Sequence, residues 1–374
     1  MIYRQLCGEK ISALGFGAMR LPVIDGDDAK IDESKAEEMV DYAYEHGINY
    51  FDSAWTYHGG TSESFMAKVL SKYPRESYFI TSKFPGFIPE LAGKVEEVFE
   101  EQLRKTGLEY FDFYLVHNVV EVDIDTYLNP KSGIVPYLIE QKKKGRIRHL
   151  GFSAHGSAET IQRFLETYGD EMEFCQLQVN WVDWKYQRAD KKVELLRKYK
   201  LPLWIMEPLR GGRLANLKEE EIAPLKALRP SESAAGWAFR FLQSIDIAGV
   251  TLTGASSLEQ LAENIAVWEE DKPLSDEEMN VLLSLAETLS KGVPCTGCKY
   301  CVSQCPKVLD IPRLIALYND DKISNGWRIT GLFLKFLPEY TQPSCCIHCG
   351  KCTEVCPQGI KIPDILAELA EWKG

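Results

Sequence analysis

One pattern constrains this chain more than any other: Cys295-x2-Cys298-x2-Cys301-x3-Cys305-Pro306 recurs with the same spacing as Cys346-x2-Cys349-x2-Cys352-x3-Cys356-Pro357. Three thiolates at two-residue separation can wrap three corners of a 4Fe-4S cubane, and a fourth, further on and followed by proline, reaches the other cluster. Nine of the eleven cysteines lie between Cys295 and Cys356, a clustering that argues for metal ligation and against the disulfide framework of a small secreted protein. Structural zinc also uses C-x2-C pairs, but four ligands per ion give no reason for a third step, a closing Cys-Pro and the duplication. Cys345 is surplus to the pattern. Cys7 and Cys175 stand alone, and packing as small hydrophobes is the expectation for both.

The longer stretch before the cysteines has a different rhythm. Short apolar runs alternate with amphipathic segments of helical length, and strands are expected near Ala13–Gly17, Asn49–Asp52, Tyr78–Ser82, Phe111–Val116, Ile147–Ser153, Glu173–Val179, Pro202–Met206 and Ile247–Thr251. Asp32–His46, Ala92–Thr106 and Ser157–Tyr168 read as helices, with Gly47 and Gly107 as stops. Eight such units favour a closed (β/α)8 TIM barrel over an open doubly wound sheet. Ile2 to Leu14, around Cys7-Gly8-Glu9, suits an N-terminal β-hairpin serving as a lid. At 374 residues the chain exceeds one usual core. The expected division is a barrel over 1–273, a linking helix over 274–293, opened by Ser275-Asp-Glu-Glu and ended by Gly292 and Pro294, and a small helical domain over 294–374.

The net charge of −12 resides in the barrel, since nine basic and eight acidic residues follow Pro294. Nucleic acid is therefore not an expected partner. The start, MIYRQLCGEKISALG, lacks a secretory pattern, and no apolar run approaches bilayer-spanning length, so the expectation is a cytoplasmic protein without a membrane span.

Both cysteine motifs resemble the two-cluster bacterial ferredoxins over essentially the whole tail. The resemblance implies two 4Fe-4S clusters, one held by Cys295, Cys298, Cys301 and Cys356, the other by Cys346, Cys349, Cys352 and Cys305. Residues 320–344, which include Gly331-Leu-Phe-Leu-Lys-Phe-Leu, exceed the corresponding ferredoxin connection and are expected to pack the small domain against the barrel.

Catalysis in a barrel belongs at the C-terminal strand ends. Asp52 and Tyr57 lie in Tyr50-Phe-Asp-Ser-Ala-Trp-Thr-Tyr57, Lys83 ends Phe-Ile-Thr-Ser-Lys, and His117 ends Phe-Tyr-Leu-Val-His. Here residues 1–270 resemble the aldo-keto reductase superfamily, whose Asp, Tyr, Lys, His tetrad occupies these strand ends. Hydride addition to a carbonyl builds negative charge on oxygen, to be met by a proton and fixed donors. Tyr57 would be the acid, its phenol lowered from about 10 by the Lys83 ammonium. Asp52 would keep Lys83 charged, and His117 would orient the carbonyl oxygen.

The same resemblance makes Ser153 and Gln176 contacts of a nicotinamide carboxamide, although the usual asparagine after the serine is Ala154. Met206 stands where the family stacks an aromatic ring, and covers a flat ring with less definition. Gly254, Ala255, Ser256, Gln260 and Asn264 match the segment that holds phosphate and adenosine. Gly254 and Gln260 stand where NADP-preferring members often carry cations, leaving NADP against NAD open.

The leading reading is an NAD(P)-linked oxidoreductase interconverting a small carbonyl and an alcohol, its clusters relaying electrons to ferredoxin or another electron-transfer protein, or stapling the C-terminus. Hydride chemistry moves electron pairs while each cluster carries one. A flavin-using reductase fed by the clusters is the alternative among enzymes, and a nucleotide-binding redox sensor or electron carrier with little turnover the alternative outside them. The complete tetrad argues against the latter.

Overall fold

The computed structural model describes residues 1–295, 297–324 and 328–372. The eight expected strands are all present, as β3 (Leu14–Gly17), β4 (Tyr50–Asp52), β5 (Phe79–Phe84), β6 (Phe111–Val119), β7 (Ile147–Ala154), β8 (Cys175–Gln178), β9 (Leu203–Met206) and β10 (Ala248–Thr253). All pair in parallel in the order β10-β3-β4-β5-β6-β7-β8-β9, and β10 meets β3 to close the barrel. Side chains fill the interior: Tyr50, Phe113, Leu115, Phe174, Trp204 and Val250 form one cluster inside the ring, so it is a packed core and not a pore.

The hairpin precedes the barrel as β1 (Tyr3–Leu6) and β2 (Glu9–Ser12). Cys7 and Gly8 join the strands with φ of 54° and 84°, the two left-handed residues that a tight hairpin turn requires. Its position corrects the expectation of a lid. Ile11 is buried in the interior cluster at the N-terminal ends of the strands, and Cys7 Sγ lies 3.7 Å from the Glu173 carbonyl just before β8. The apolar face of β2 needs a core to bury, and the open bottom of the barrel supplies one, so the hairpin is a plug at the mouth opposite the catalytic ends.

Helix starts follow the capping residues. The Asp32 carboxylate accepts from Lys35 N ahead of Glu33–Glu45, and Ser157 caps Ala158–Tyr168. The helix expected over 92–106 is divided into Pro89–Ala92 and Val95–Thr106, with the break at Gly93 and Lys94. Helix Asp276–Leu289 is docked on the barrel, with Leu282 and Ala286 buried in its main core.

The C-terminal module has its own core, in which Leu309, Ile311, Leu314, Ile315, Ile362, Leu366 and Leu369 surround Cys301 and Cys352. Helices Ile311–Ser324 and Ile362–Ala370 carry most of it. Arg210, 1% exposed, ties the module to the barrel. Its guanidinium donates to buried Asp183 at 3.1 Å and to Asp320 at 2.5 Å, and also to Ser324. Within the 320–344 segment, Asp320 and Ser324 thus grip the barrel, and the Phe333 ring stands edge-on to His155 at 6.0 Å. Residues 325–327 of that segment lie outside the described residues. No helix among the described residues is long and apolar enough to cross a membrane.

Candidate functional site

β4, β5 and β6 bring the four tetrad candidates together. Lys83 Nζ, 1% exposed, donates to Asp52 Oδ1 at 2.6 Å and to the Ser53 carbonyl at 2.8 Å, and lies 3.4 Å from the Tyr57 hydroxyl. The Tyr57 and His117 rings meet edge-on with centroids 6.4 Å apart. Lys83 and His117 fall within their strands, which run one and two residues beyond these positions.

The electrostatics follow from burial. Burial opposes charge on Lys83, but attraction to Asp52 and Tyr57 outweighs it, and its ammonium is held above the ordinary lysine range. Burial raises the Asp52 carboxyl against the pull of Lys83. The Tyr57 phenol is also raised, chiefly by burial, with Lys83 pulling the other way. That net direction corrects the sequence-based expectation of a lowered phenol: the spacing showed the cation, but not the depth of the hydroxyl. Burial, then Lys83 and His155, push His117 well below 6.5, so its ring is neutral at pH 7. Its Nδ1 is buried without a hydrogen-bond partner among the described residues.

A support for Lys83 escaped sequence reasoning. Gln102, fully buried, donates through Nε2 to Glu63 at 2.7 Å, to Ser82 at 2.9 Å and to the Lys83 carbonyl at 3.1 Å. Glu63 is paired with Lys105, and Tyr114 donates to Gln102. These residues sit on helices and strands far apart in sequence, and the only available signal was glutamine and glutamate on otherwise apolar helix faces.

The nicotinamide candidates form a complementary pair. Ser153 Oγ, buried, accepts from Asn118 N at 2.9 Å, leaving its O–H to donate. Gln176 approaches Asp52 Oδ2 at 3.5 Å through Nε2, while its Oε1 is buried and unpartnered among the described residues. One free donor and one free acceptor suit a carboxamide. Asn118, left-handed at φ 64° and with an Oδ1 unpartnered among the described residues, stands beside them and was missed; asparagine after a strand-end histidine was the signal. Met206, half-buried, ends β9 opposite Gln178 and packs on the interior cluster.

The loop after β10 is shaped by its own side chains. Gln260 Oε1 accepts from Ser256 N at 2.9 Å, and Asn264 Nδ2 donates to Thr253 at 2.8 Å. Ala255 is buried. A Cβ on Gly254 would lie 3.4 Å from the Arg20 stem, so a cation that sequence reasoning missed stands beside this loop, 3.7 Å from Glu207.

Cys295, Cys298, Cys301 and Cys356 line one small cavity, the set that the ferredoxin resemblance assigned to one cluster. Both motif copies fold alike: Gly297 and His348, Lys299 and Gly350, and Val308 and Gly359 occupy equivalent places, and all six have positive φ. Short helices Tyr300–Gln304 and Lys351–Glu354 place Cys301 and Cys352 in the module core. Burial, with Cys295, Cys298 and Cys352 adding, pushes the Cys301 thiol up to about 11. A bound metal overcomes such resistance, because a coordinated thiol is deprotonated.

A TIM barrel with polar side chains converging at its C-terminal mouth, followed by a duplicated cysteine module, defines a barrel oxidoreductase joined to an iron-sulfur domain. Residues 13–287 match the model of the Aldo/keto reductase family, and residues 294–360 match the 4Fe-4S dicluster domain. The chain belongs to the aldo/keto reductase family. It is similar to "Probable aldo-keto reductase 1" of Glycine max, 28% identical over 213 residues that cover 55% of this chain and 58% of that protein. It is also similar to "NADH-specific methylglyoxal reductase" of Escherichia coli (strain K12), 25% identical over 334 residues, 75% of this chain and 96% of that one. Among solved structures, the holo form of an aldo-keto reductase from Bacillus halodurans aligns with a TM-score of 0.61 at 25% identity, covering 76% of this chain and 96% of that one.

Proposed function

We propose that the barrel, over 1–273 with the helix in 274–293 docked on it, interconverts a small carbonyl and an alcohol using NADH or NADPH, and that the module over 294–374 holds two 4Fe-4S clusters. The observation that carries the first half is the buried Lys83, held between Asp52 and the Tyr57 hydroxyl.

A bound nicotinamide nucleotide supplies the hydride. Ser153 and Gln176 hold its carboxamide, Met206 covers the ring, the backbone of Gly254, Ala255 and Ser256 faces the phosphates, and Gln260 and Asn264 border the adenosine. The neutral His117 donates a hydrogen bond to the carbonyl oxygen. As charge builds there, Tyr57 gives up its proton, and Lys83 stabilises the phenolate left behind. Asp52 keeps Lys83 charged through the cycle. A phenol raised by burial is fully protonated at neutral pH, the state an acid needs before the transfer.

The clusters relay electrons to ferredoxin or a similar partner; a pair of clusters within one small module is suited to a relay. The Escherichia coli relative's name makes methylglyoxal and NADH the first substrates to try. Tyr57→Phe should lower kcat for nucleotide-dependent methylglyoxal reduction by about 10²- to 10⁴-fold with nucleotide affinity unchanged. Full activity in that variant would reject the assignment of the acid.

A further inference from the structure

A cavity of about 760 Å³ lies where the barrel rim meets the module, and none of the four tetrad residues lines it. The barrel side contributes His155, Arg188 and Lys192, and the module contributes Arg313, Phe333 and Cys295. Cys295 also lines the small four-cysteine cavity, and with Pro312 it is common to both walls.

Lys192 carries the argument. It is 7% exposed and lines this cavity, and its side chain has no hydrogen bond or ion pair among the described residues. Every other buried cation of the barrel is satisfied: Lys83 by Asp52, Arg210 by Asp183 and Asp320, Arg240 by Glu232 and backbone carbonyls. An ammonium largely withdrawn from water without a hydrogen-bonded partner is costly, and burial accordingly lowers its pKa. It occupies the first turn of helix Ala189–Tyr199, whose N-cap Arg188 makes no side-chain cap, so the positive end of that helix faces the same space. Of the acidic groups nearby, Glu121 accepts from Ser157 N and from Thr160, Asp183 and Asp320 pair with Arg210, and Glu194 pairs with Lys191, while Glu159 lines the cavity from an exposed position. His155, pushed down to about 4 by burial and then by Lys192, is neutral and able to hydrogen-bond.

We propose that this cavity is a second ligand site, distinct from the nicotinamide site, for a phosphate-bearing molecule of mononucleotide size anchored by Lys192, Arg188 and Arg313. The phosphate sits against Lys192 and the helix N-terminus, and the remainder lies between His155 and Phe333 toward Cys295. Two sources share that chemistry. Flavin mononucleotide is the one able to pass between paired and single electrons, next to a cluster ligand; a phosphorylated substrate or effector would use the same anchor.

Calorimetric titration of cluster-loaded protein with flavin mononucleotide, and separately with inorganic phosphate, tests this in the native chain, Lys192→Met and Arg313→Met. Lys192→Met removes a buried uncompensated charge, so its thermal stability should not fall, and Arg313→Met probes the same site from the other domain. Saturable one-to-one flavin binding, weakened by about tenfold or more in both variants, supports the site with flavin as its ligand. Phosphate binding weakened by Lys192→Met, without flavin binding, supports the anion site and assigns it to a phosphorylated substrate or effector. Absence of both, or binding that neither variant changes, overturns the proposal. Tyr57→Phe should leave these titrations unchanged, so failure here and failure of the carbonyl reductase reading are separately visible.

Discussion

The barrel and the module reach a folded state by different means. The barrel buries a continuous core, running from Leu14 in β3 through Trp237 and Trp268 to Ala286 in the docked helix, and apolar burial at roughly 25 cal/mol per Å² holds such a fold together whether or not its site is occupied. The module has a dozen buried core residues among those described, two of them cysteines of the repeated motif. A core of that size leaves small domains dependent on a metal or other staple. The difference teaches that site and fold are separable in the first part of the chain and inseparable in the second.

The largest effect should come from breaking that inseparability. Cys301→Ser removes a ligand at the centre of the module core; iron should fall from about eight to about four or fewer per chain, with the module losing protection from amide exchange. The barrel should keep its thermal transition and its nicotinamide binding. A module that stays protected without iron would erase the contrast.

The junction comes next. Arg210→Met leaves Asp183, fully buried, without its cation, and loss of one partner in such a pair should cost about 4 kcal/mol, measured by urea unfolding. The transitions of the two regions should then lie further apart than in the native chain.

A smaller effect separates the docked helix from the barrel. Arg229 binds Glu278 at 2.5 and 2.8 Å, and these hydrogen bonds hold the carboxyl down from 4.5 to about 2. A carboxyl lowered on folding stabilises above its unfolded pKa and loses that contribution as pH falls through its folded one. Stability should therefore drop between about pH 4.5 and 2 by about 3 kcal/mol, and Glu278→Gln should flatten that drop in thermal melts.

What could be read from the sequence follows the same division. Strands buried on both faces write themselves as apolar runs, so every barrel strand was legible to within a few residues, and strand ends exposed Asp52, Lys83 and His117. The cysteine spacing was legible because ligation leaves no latitude. The hairpin's destination was not, since alternation in β2 says that one face is buried but not against which mouth. Nor was the direction of the Tyr57 shift, which depends on depth. Gln102 and Glu63, which brace Lys83 from behind with Lys105 paired to Glu63, and Lys192 at the junction carry no motif in the sequence; only the fold shows Gln102, Glu63 and Lys192 buried.

The central claim is that one chain joins a hydride-handling barrel to a module folded around two clusters, and iron and acid-labile sulfide analysis of anaerobically purified protein tests it most directly. About eight of each per chain is the predicted result. Zinc in place of iron, or a folded module with neither metal, would contradict it.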